Sequence, residues 1–501
     1  MSLRRREGLA ALSGLLLVLS FPKFGHGAVA WAALLPLLIA LPGVSGWPAL
    51  RLGYVTGAVA GLGLLYWTAL VVTQFGGLSL PVAALVMALL CLAVAAFPAA
   101  FAWVVARWLE RLGPAGLLLA PLAWVATEMV RSYTALRFPW ALLGYSQWSQ
   151  PAVIQIASLT AVYGVSALVA SSSAALAYCA HEPRLARRIG ALAGALALIG
   201  GATLWGALSI GAPLDPSGRV RVGLVQASIP QDQKWSEQAY FDNLTKHVAL
   251  TRRAAAEGAK LIVWPESAVP YRFDDDPGAA DLLRNLARET GAHLAFGNDD
   301  HHGGVHYVGA KMLAPDGRLA LRYHKMRLVP FGEYVPLQPL LTLGGRYAAK
   351  LVQQVADFTP GERAEIGAAG RPLGIFICYE AIFPDLVRQF TESGAELLVN
   401  VTNDGWYGRT SAPYQHLAMA VFRAVENRRY LVRAANTGIS AIVDPWGRVQ
   451  ASTRLFEARA LVGEVSYLRA QTAYSRFGDV FGWACLLASL GLTLMRRAPR
   501  R

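Results

Sequence analysis

The chain has 501 residues, of which 54% are hydrophobic and 16% are charged, and its formal net charge is +14. Soluble domains carry about 25% charged residues, which argues against a chain built only from ordinary soluble domains. The deficit is uneven, because residues 8–210 are almost continuously apolar, whereas residues 215–475 alternate polar and apolar residues and hold most of the acidic ones. We therefore predict a membrane part followed by a soluble part.

Membrane-spanning helices are predicted along the first 212 residues. A span needs about 20 mostly apolar residues, and the stretches that meet or approach this length lie near 8–22, 28–43, 53–72, 81–106, 115–130, 155–180, 189–210 and 478–495. A soluble core of buried helices is the alternative, but such cores do not run for 200 residues with so few charges. The N-terminus also resembles a cleaved signal peptide, although another apolar segment begins at once, so we predict a retained first span. The domains expected are a seven-span membrane domain at 1–212, a soluble domain at 215–475, and a C-terminal transmembrane helix with a basic tail at 478–501.

Lysine and arginine near the span ends predict the orientation, because these residues are retained on the cytoplasmic side. With the N-terminus inside, the inside segments contain Arg4, Arg5, Arg6, Arg51, Arg107, Arg111, Arg184, Arg187, Arg188, Arg496, Arg497, Arg500 and Arg501, whereas the short outside loops contain Lys23, Arg131 and Arg137. Both termini are then inside, and residues 215–475, which follow the seventh span, lie outside. This topology accounts for the positive charge, so we predict no nucleic-acid partner.

One cysteine differs from the others in its position. Cys91, Cys179 and Cys485 lie inside predicted spans, where a thiol behaves as a small apolar side chain, whereas Cys378 lies in the soluble domain. A single cysteine gives an outside domain no disulfide framework. No Cys and His cluster has zinc spacing, and the sequence has no Gly-x-x-x-x-Gly-Lys-Ser/Thr phosphate loop, so we predict neither a metal nor a cofactor.

Residues 215–475 alternate predicted strands and helices. Strands are predicted at 219–226, 261–264, 292–297, 307–313, 319–324, 373–377, 397–400 and 438–443, with helices at 383–393 and 418–429. Apolar and polar residues alternate in the first strand, and the run at 261–264 is wholly apolar, as in a buried strand. This alternation of strands and helices predicts an α/β domain.

Three reactive side chains come directly after predicted strands, namely Glu266, Lys325 and Cys378. A strand that turns toward a helix exposes a nucleophile at the sheet edge and leaves backbone N–H groups free. A free thiol has a pKa of about 8.5, so a carboxylate that takes its proton and an ammonium that stabilises an oxyanion would complete a site for acyl transfer. Taken singly, the three fit a helix cap, a surface charge and a buried core thiol, and spacing alone does not bring them together.

The motifs around these residues resemble the carbon–nitrogen hydrolase (nitrilase) superfamily. They are Trp264-Pro265-Glu266, His324-Lys325 and Ile377-Cys378-Tyr379-Glu380. The catalytic triad of that superfamily is Glu, Lys and Cys in this chain order. The resemblance therefore implies a nitrilase-like αββα sandwich with a Glu266–Lys325–Cys378 triad.

The whole chain is similar to the apolipoprotein N-acyltransferase family, in which seven spans, an outside nitrilase-like domain and one further span follow one another. The additional motifs are 226–235, 325–336 (Lys-Met-Arg-Leu-Val-Pro-Phe-Gly-Glu-Tyr-Val-Pro), Asn403-Asp404-Gly405-Trp406, Phe138-Pro139-Trp140 and Gly144-Tyr145. Several long motifs in the same order make chance a poor explanation.

This resemblance implies roles for the matching positions. Cys378 would be the nucleophile, Glu266 the general base that takes its proton and later activates the amine, and Lys325 the residue that stabilises the oxyanion. Glu333, eight residues after Lys325, resembles an additional essential carboxylate of the family and is expected to orient Lys325.

Other positions carry less specific expectations. Tyr379 and Glu380 flank the nucleophile and match essential positions of the family. Trp235 resembles a Trp on a mobile loop that faces lipid, although an ordinary half-buried Trp would look the same in sequence. Residues 403–404 and 423–433 are interpreted as scaffold.

The activity implied is an acyltransferase of lipoprotein maturation in the bacterial inner membrane. An acyl chain, with the sn-1 chain of phosphatidylethanolamine as the expected donor, would form a thioester and then pass to the α-amine of a diacylglyceryl-modified N-terminal Cys of an apolipoprotein, with ping-pong kinetics. A membrane-tethered amide or nitrile hydrolase of the same superfamily is the alternative, because it would share the triad. A binding or transport protein is a further one, with Glu128 as its candidate intramembrane charge.

Overall fold

The computed structural model describes residues 1–134, 137–231, 237–269, 273–335 and 358–495; for residues 237–240 and 302 only the backbone is considered. The chain divides into two compact units. The first contains Met1–Ala212, Thr410–Glu426 and the segment from Thr472 onward, and the second contains Pro213–Arg409 and Asn427–Gln471. Each unit is therefore assembled from segments that are distant in sequence.

The N-terminal part of the chain is helical. Its α-helices are α1 (Leu3–Leu19), α2 (Ala30–Ala33), α3 (Leu35–Ala40), α4 (Trp47–Leu65), α5 (Trp67–Gln74), α6 (Leu80–Leu112), α7 (Ala120–Tyr133), α8 (Pro151–Ile154), α9 (Ala157–His181) and α10 (Leu185–Ser209). Short 3₁₀ turns join several of them, and one of these, Gly113–Leu119, connects α6 to α7.

Several of these helices have the length and composition of membrane spans. In the part of the chain that the structure describes, four helical stretches are long and apolar enough, namely Trp47–Leu65, Leu80–Tyr133, Ala157–His181 and Leu185–Ser209. Gly27–Ala40 and Val480–Leu494 are shorter and also apolar. The fold class predicted for this part, a helical multispan membrane domain, is confirmed, while the count of eight spans stays a prediction.

Strands and helices alternate from residue 216 onward. The strands are β1 (Pro216–Gln226), β2 (Leu261–Val263), β3 (His293–Gly297), β4 (Asp300–His302), β5 (Val305–Tyr307), β6 (Gly309–Leu313), β7 (Leu319–His324), β8 (Ile366–Ala369), β9 (Arg371–Ile377), β10 (Leu397–Thr402), β11 (Leu431–Ala435), β12 (Ala441–Val443), β13 (Val449–Ser452) and β14 (Arg459–Leu468). The helices are α11 (Glu237–Ala256), α12 (Pro277–Thr290), α13 (Pro384–Glu392) and α14 (Ala412–Asn427), followed by α15 (Ala473–Phe477) and α16 (Val480–Leu494). The predicted α/β fold is confirmed.

The described strands form two six-stranded sheets and one hairpin. The first sheet has the order β14-β1-β2-β3-β6-β7, the second has the order β13-β12-β11-β10-β9-β8, and β4 pairs with β5. The strands β1 and β11 pack against each other, as do β6 and β9, so the two sheets are layered. Helices α11 and α13 contact the sheets at β1 and β9 respectively. This is the predicted nitrilase-like αββα sandwich.

The strand directions bring particular loops to common edges. Strands β2 and β3 are parallel, and β7 runs the same way because β3 and β7 are both antiparallel to β6. The segments that follow β2 and β7 therefore leave one edge of the first sheet. In the second sheet β9 and β10 are parallel, so the segments that follow them also share an edge.

Helix α12 illustrates how local sequence fixes these elements. Pro277 stands at its first turn, and the side chain of Asp276 accepts a hydrogen bond from the backbone N–H of Ala279 at 3.1 Å, which is an N-cap. Gly291 ends the helix in the left-handed conformation with φ of 58°, where glycine is the favoured residue. The buried face consists of Ala279, Ala280, Leu283, Leu286 and Ala287.

Phe390 anchors α13 on the second sheet. Its side chain is fully buried, and its ring centroid lies 5.3 Å from that of Tyr323 and 6.0 Å from that of Phe376. A Cβ atom added at Gly374 of β9 would lie 2.7 Å from the Phe390 ring. Helix and strand are thus in contact with no space between them.

We expect Phe390→Ala to destabilise this unit by about 3–5 kcal/mol, because the ring is lost and a cavity remains in a site that cannot collapse. The midpoint of thermal unfolding in detergent should fall by several degrees. Phe241→Ala is the matched control, since that side chain is 73% exposed, and it should leave the midpoint nearly unchanged. Equal shifts in the two variants would contradict the packing described for α13.

Candidate active site

Cys378 stands where β9 ends. The strand is buried from Leu373 to Ile377, and Cys378 begins the 3₁₀ turn Cys378–Ile382. The backbone of Cys378 has φ of 48°, a left-handed conformation that costs a residue other than glycine free energy. A nucleophile on a strained turn after a strand is a recurrent device of hydrolases, so the local geometry suits a reactive thiol.

Lys325 follows β7 and is fully buried. Its Nζ donates to Glu266 Oε1 at 3.2 Å and to Glu333 Oε1 at 2.5 Å. Burial lowers the pKa of the Lys325 ammonium, but the charges of the two carboxylates more than offset this, so the pKa lies well above its usual value. The two carboxylates therefore stabilise the charged form of Lys325.

Glu266 follows β2 and is held at both oxygens. Oε1 accepts from Lys325, and Oε2 accepts from the backbone N–H of Asn403 at 2.9 Å. The neighbouring Gly297 must be glycine, since a Cβ atom there would lie 2.5 Å from the Cα of Glu266. The carboxylate is thus fixed by one charged partner and one backbone donor.

Glu333 is the second carboxylate on Lys325. Its Oε2 accepts from the backbone N–H of Val329 at 2.9 Å. Burial raises the pKa of Glu333, and the Lys325 charge opposes the rise. The structure therefore brings together four of the predicted site residues, namely Glu266, Lys325, Glu333 and, through electrostatic contact with the first two, Cys378.

The environment of Cys378 disfavours a free thiolate. Burial and the negative charge of Glu266 raise the pKa of the Cys378 thiol well above its ordinary value, while the Lys325 charge lowers it. Attack by this sulfur therefore requires a base that removes the proton during the reaction, because very little thiolate exists beforehand at neutral pH.

Glu380 joins the cysteine turn to the lysine loop. Its Oε1 accepts from the Tyr323 hydroxyl at 2.7 Å and from the Met326 and Arg327 backbone N–H groups at 2.6 and 3.1 Å. Its Oε2 accepts from the Ile377 backbone N–H at 2.7 Å. Burial raises the pKa of Glu380 to about 7. Both carboxylate oxygens of Glu380 are therefore hydrogen-bonded inside the protein.

Two predicted site residues remain, Tyr379 and Trp235. Tyr379 is buried beside Cys378, and its ring meets that of Phe383 edge-on with centroids 5.1 Å apart. Trp235 lies outside the described residues. No group of three or more His, Cys, Asp or Glu suited to a metal occurs among the residues that the structure describes.

The sequence interpretation missed the contribution of Asn403. Its backbone N–H binds Glu266, and its side chain donates to Gln231 Oε1 at 2.7 Å and accepts from Asn436 Nδ2 at 3.2 Å. Residue 403 was interpreted as scaffold because its partners were not visible in the sequence. It directly follows β10, so the strand-exit argument that selected Glu266 also applies to it.

Asp404 forms a buried ion pair next to the candidate nucleophile. Its oxygens lie 2.9 and 3.1 Å from Arg433 Nη2, and both side chains are fully buried. The Asp404 charge also contributes to the raised pKa of Cys378. Asp404 therefore acts on the thiol of Cys378, while its ion pair with Arg433 supports the sheet.

Comparison with known proteins gives matches along nearly the whole chain. The carbon-nitrogen hydrolase family model matches residues 221–474, and the model of the apolipoprotein N-acyltransferase N-terminal domain matches residues 13–175. An apolipoprotein N-acyltransferase of Geobacter metallireducens is 41% identical over 96% of this chain and 94% of its own length. One of Methylococcus capsulatus is 35% identical over 98% and 96% respectively. Among solved structures, an amidase from Nesterenkonia sp. covers 53% of this chain and 95% of its own at 21% identity, with a TM-score of 0.39.

Both family models agree with the division of the chain into a helical part and an α/β part. The relatives are similar through both parts, with no large segment of either chain left out. The chain therefore belongs to the apolipoprotein N-acyltransferase family.

Proposed function

We propose that the chain is a phospholipid:apolipoprotein N-acyltransferase that acts through a thioester on Cys378. The observation that carries the proposal is the buried Lys325 ammonium, paired at once with Glu266 and Glu333 beside a cysteine on a strained turn. Such a set can remove a thiol proton and stabilise an oxyanion in the same place. Membership in the family supports the substrate class.

The first half-reaction forms the thioester. Glu266 takes the proton of Cys378 as the sulfur attacks the ester carbonyl of a phospholipid, and Lys325 stabilises the oxyanion that develops. The ester C–O bond then breaks, and Glu266 returns the proton to the departing oxygen. Because the pKa of Cys378 is raised by burial, proton removal and attack have to be coupled, which is the task of a base already in contact with the site.

The second half-reaction transfers the acyl group to nitrogen. The α-amine of a diacylglyceryl-modified N-terminal Cys attacks the thioester carbonyl, and Lys325 again stabilises the oxyanion. Glu266 takes a proton from the nitrogen and gives it to the sulfur as the C–S bond breaks. One base and one ammonium therefore serve both steps, and the expected kinetics are ping-pong.

The substrates we propose are both lipids anchored in a bilayer. Phosphatidylethanolamine is the proposed donor and a diacylated apolipoprotein the proposed acceptor. The apolar helices of the N-terminal part support a chain embedded in the same membrane, so that no acyl chain has to enter water. We place the α/β domain on the outer face of the bacterial inner membrane, with both termini cytoplasmic, on the distribution of Lys and Arg.

A membrane-tethered amide or nitrile hydrolase would use the same three residues. The helical domain counts against it, because residues 13–175 match a domain specific to apolipoprotein N-acyltransferases, and the relatives at 41% and 35% identity carry that name. Acyl transfer is thus the better supported activity.

The nucleophile can be tested directly by mass spectrometry. Purified protein mixed with phosphatidylethanolamine should gain the mass of one acyl chain on Cys378, and Cys378→Ala should abolish both adduct and product because no other sulfur occupies the turn. Cys485→Ala is the matched control, since that buried thiol lies in α16, and it should acylate normally. An acyl adduct on the Cys378→Ala protein would falsify the covalent mechanism.

The base can be tested through the pH dependence of acylation. In Glu266→Gln the reaction depends on pre-formed thiolate, whose fraction rises about tenfold per pH unit below the thiol pKa. Since burial keeps the pKa of Cys378 raised, the variant should be very slow at about pH 7, accelerate toward pH 9, and still not reach the parent rate there. Single-turnover acylation by a fluorescent phospholipid measures this.

Glu333→Gln is the matched control for that experiment. It removes the other carboxylate on Lys325 and leaves the proposed base in place, so its rate should show no such rise with pH. If Glu266→Gln acylates at the parent rate near pH 7 and Glu333→Gln shows the steep profile, Glu333 is the base.

The orientation can be tested by labelling whole cells. In a background without the native cysteines, Glu362→Cys and Arg184→Cys place thiols at exposed positions in the α/β domain and between α9 and α10. A membrane-impermeant maleimide should label the first on intact cells and the second only after permeabilisation. The reverse pattern would refute the proposed topology.

A further inference from the structure

A small cavity borders Glu266 and has neither Lys325 nor Cys378 in its lining. The space in it that the centre of a water molecule can occupy is about 10 Å³, and its polar walls are Asn243, His247, Asn436 and Glu266. A cavity needs about 10–15 Å³ of such space to hold a water molecule, so this one has room for one ordered water at most. The carboxylate at the centre of the site therefore has a second polar face.

His247 is fixed on this face in one tautomer. The side chain is 2% exposed, and its ring packs on Trp264 with centroids 4.8 Å apart. Its Nδ1 lies 2.8 Å from the carbonyl oxygen of Asn243. Because a carbonyl only accepts, Nδ1 must carry the hydrogen, which leaves Nε2 of the neutral ring as a proton acceptor.

Asn243 supplies the second observation. Its side chain is 7% exposed, and its Nδ2 has no hydrogen-bond partner within the described ranges of the chain. An unsatisfied buried donor costs about 1–3 kcal/mol, and a water with two to four polar neighbours would remove that cost. Asn243, His247 and Glu266 all line this cavity, so together they can supply three polar neighbours to a water.

This inference rests on the proposed function, in which only the second half-reaction, the transfer to the amine, releases a proton that must leave the site. Acylation is neutral, because the thiol proton ends on the departing oxygen. The acceptor amine has a pKa of about 7.7–8.0 and arrives mainly as an ammonium at neutral pH. When the C–N bond forms and the C–S bond breaks, one of its three protons stays on the amide and one goes to sulfur. The third must leave the site.

We infer that the cavity holds an ordered water through which His247 takes this third proton from Glu266 during transfer. His247 acts through Glu266 and does not touch the substrate. Among the residues that line the cavity, Glu266 and His247 have ionisable side chains. The ionisable groups that the described residues place on the other side of the Glu266 carboxylate include Lys325, Glu333 and Cys378, which take part in the exchange of protons with the thiol.

Two variants of His247 separate relay from structure. His247→Gln can still donate to the Asn243 carbonyl and bind water but cannot accept a proton, whereas His247→Phe keeps the ring on Trp264 and loses both functions. Thr251→Val is the matched control, because Thr251 lies one turn further along α11 and its Oγ1 accepts from Trp264 Nε1 at 2.7 Å. It perturbs the same tryptophan without touching the proton path.

The measurements are single-turnover acylation by phosphatidylethanolamine and transfer from pre-formed acyl-enzyme to a diacylated lipopeptide, each between about pH 6.5 and 9. We expect both His247 variants to acylate within about twofold of the parent and to transfer at least about tenfold more slowly at pH 6.5. The transfer defect should shrink to about twofold near pH 9, where the amine arrives neutral. Thr251→Val should show no difference between the half-reactions and no pH-dependent defect.

The outcomes are distinguishable. A His247→Gln protein that transfers at the parent rate at pH 6.5 refutes the relay, and so does one that loses acylation and transfer equally at every pH, since that pattern is structural damage. If the parent itself forms no acyl adduct on Cys378, the proposed function fails. If the parent acylates and transfers while His247→Gln slows transfer no more than acylation, the proposed function is retained and only the relay is refuted.

Discussion

The rest of the site depends on one buried positive charge. Lys325 is fully buried, and taking an ammonium out of water costs several kcal/mol unless close partners replace the water. Two carboxylates do so, at 3.2 Å from Glu266 and 2.5 Å from Glu333. Each is held in turn by a backbone N–H, that of Asn403 on Glu266 and that of Val329 on Glu333. Three chain segments, at residues 266, 325–333 and 403, are therefore fixed around a single charge.

Two residues at this site also have a strained backbone. Cys378 and Ser267 both have positive φ, 48° and 46° respectively, and such conformations cost about 1–3 kcal/mol each. They persist because neighbouring contacts fix the backbone on both sides. Glu380, which binds the backbone before Cys378 and the backbone after Lys325, is the clearest of these contacts. The strained turn thus holds Cys378 where the charges of Glu266 and Lys325 act on its thiol.

The sequence predicted the parts of this site that have a local signature. Glu266, Lys325 and Cys378 each follow a predicted strand, which marked them singly. Their grouping came from the resemblance to the nitrilase superfamily, because Glu266 and Lys325 leave the first sheet and Cys378 leaves the second. The contribution of Asn403 was not predicted, because it binds Glu266 through its backbone N–H. A pattern of side chains does not indicate which backbone N–H groups will act as donors.

The fold shows the same limit. Strand β14 was not predicted, since it lies at the edge of its sheet beside β1 and only part of it is buried. Helix α14 begins at Ala412, earlier than the predicted 418–429, because buried positions all round the helix give a weak amphipathic pattern. Residues up to Glu426 belong to the helical unit. This assignment depends on contacts between residues distant in sequence, which the periodicity of the helix does not predict.

The triad by itself does not distinguish a hydrolase from a transferase, since both pass through a thioester and differ in what attacks it. Water is at about 55 M in bulk but is a weak nucleophile, and it reaches a thioester only if the site is open. Here Cys378, Glu266 and Lys325 are 4%, 6% and 0% exposed, so the acyl-enzyme would be poorly hydrated. A neutral amine nitrogen is a stronger nucleophile than water, and the buried Glu266 carboxylate is there to receive the proton that the ammonium form loses before it attacks. A buried thioester beside a base, Glu266, that is held by hydrogen bonds at both oxygens therefore favours nitrogen as the acceptor. This is the chemistry that the family performs.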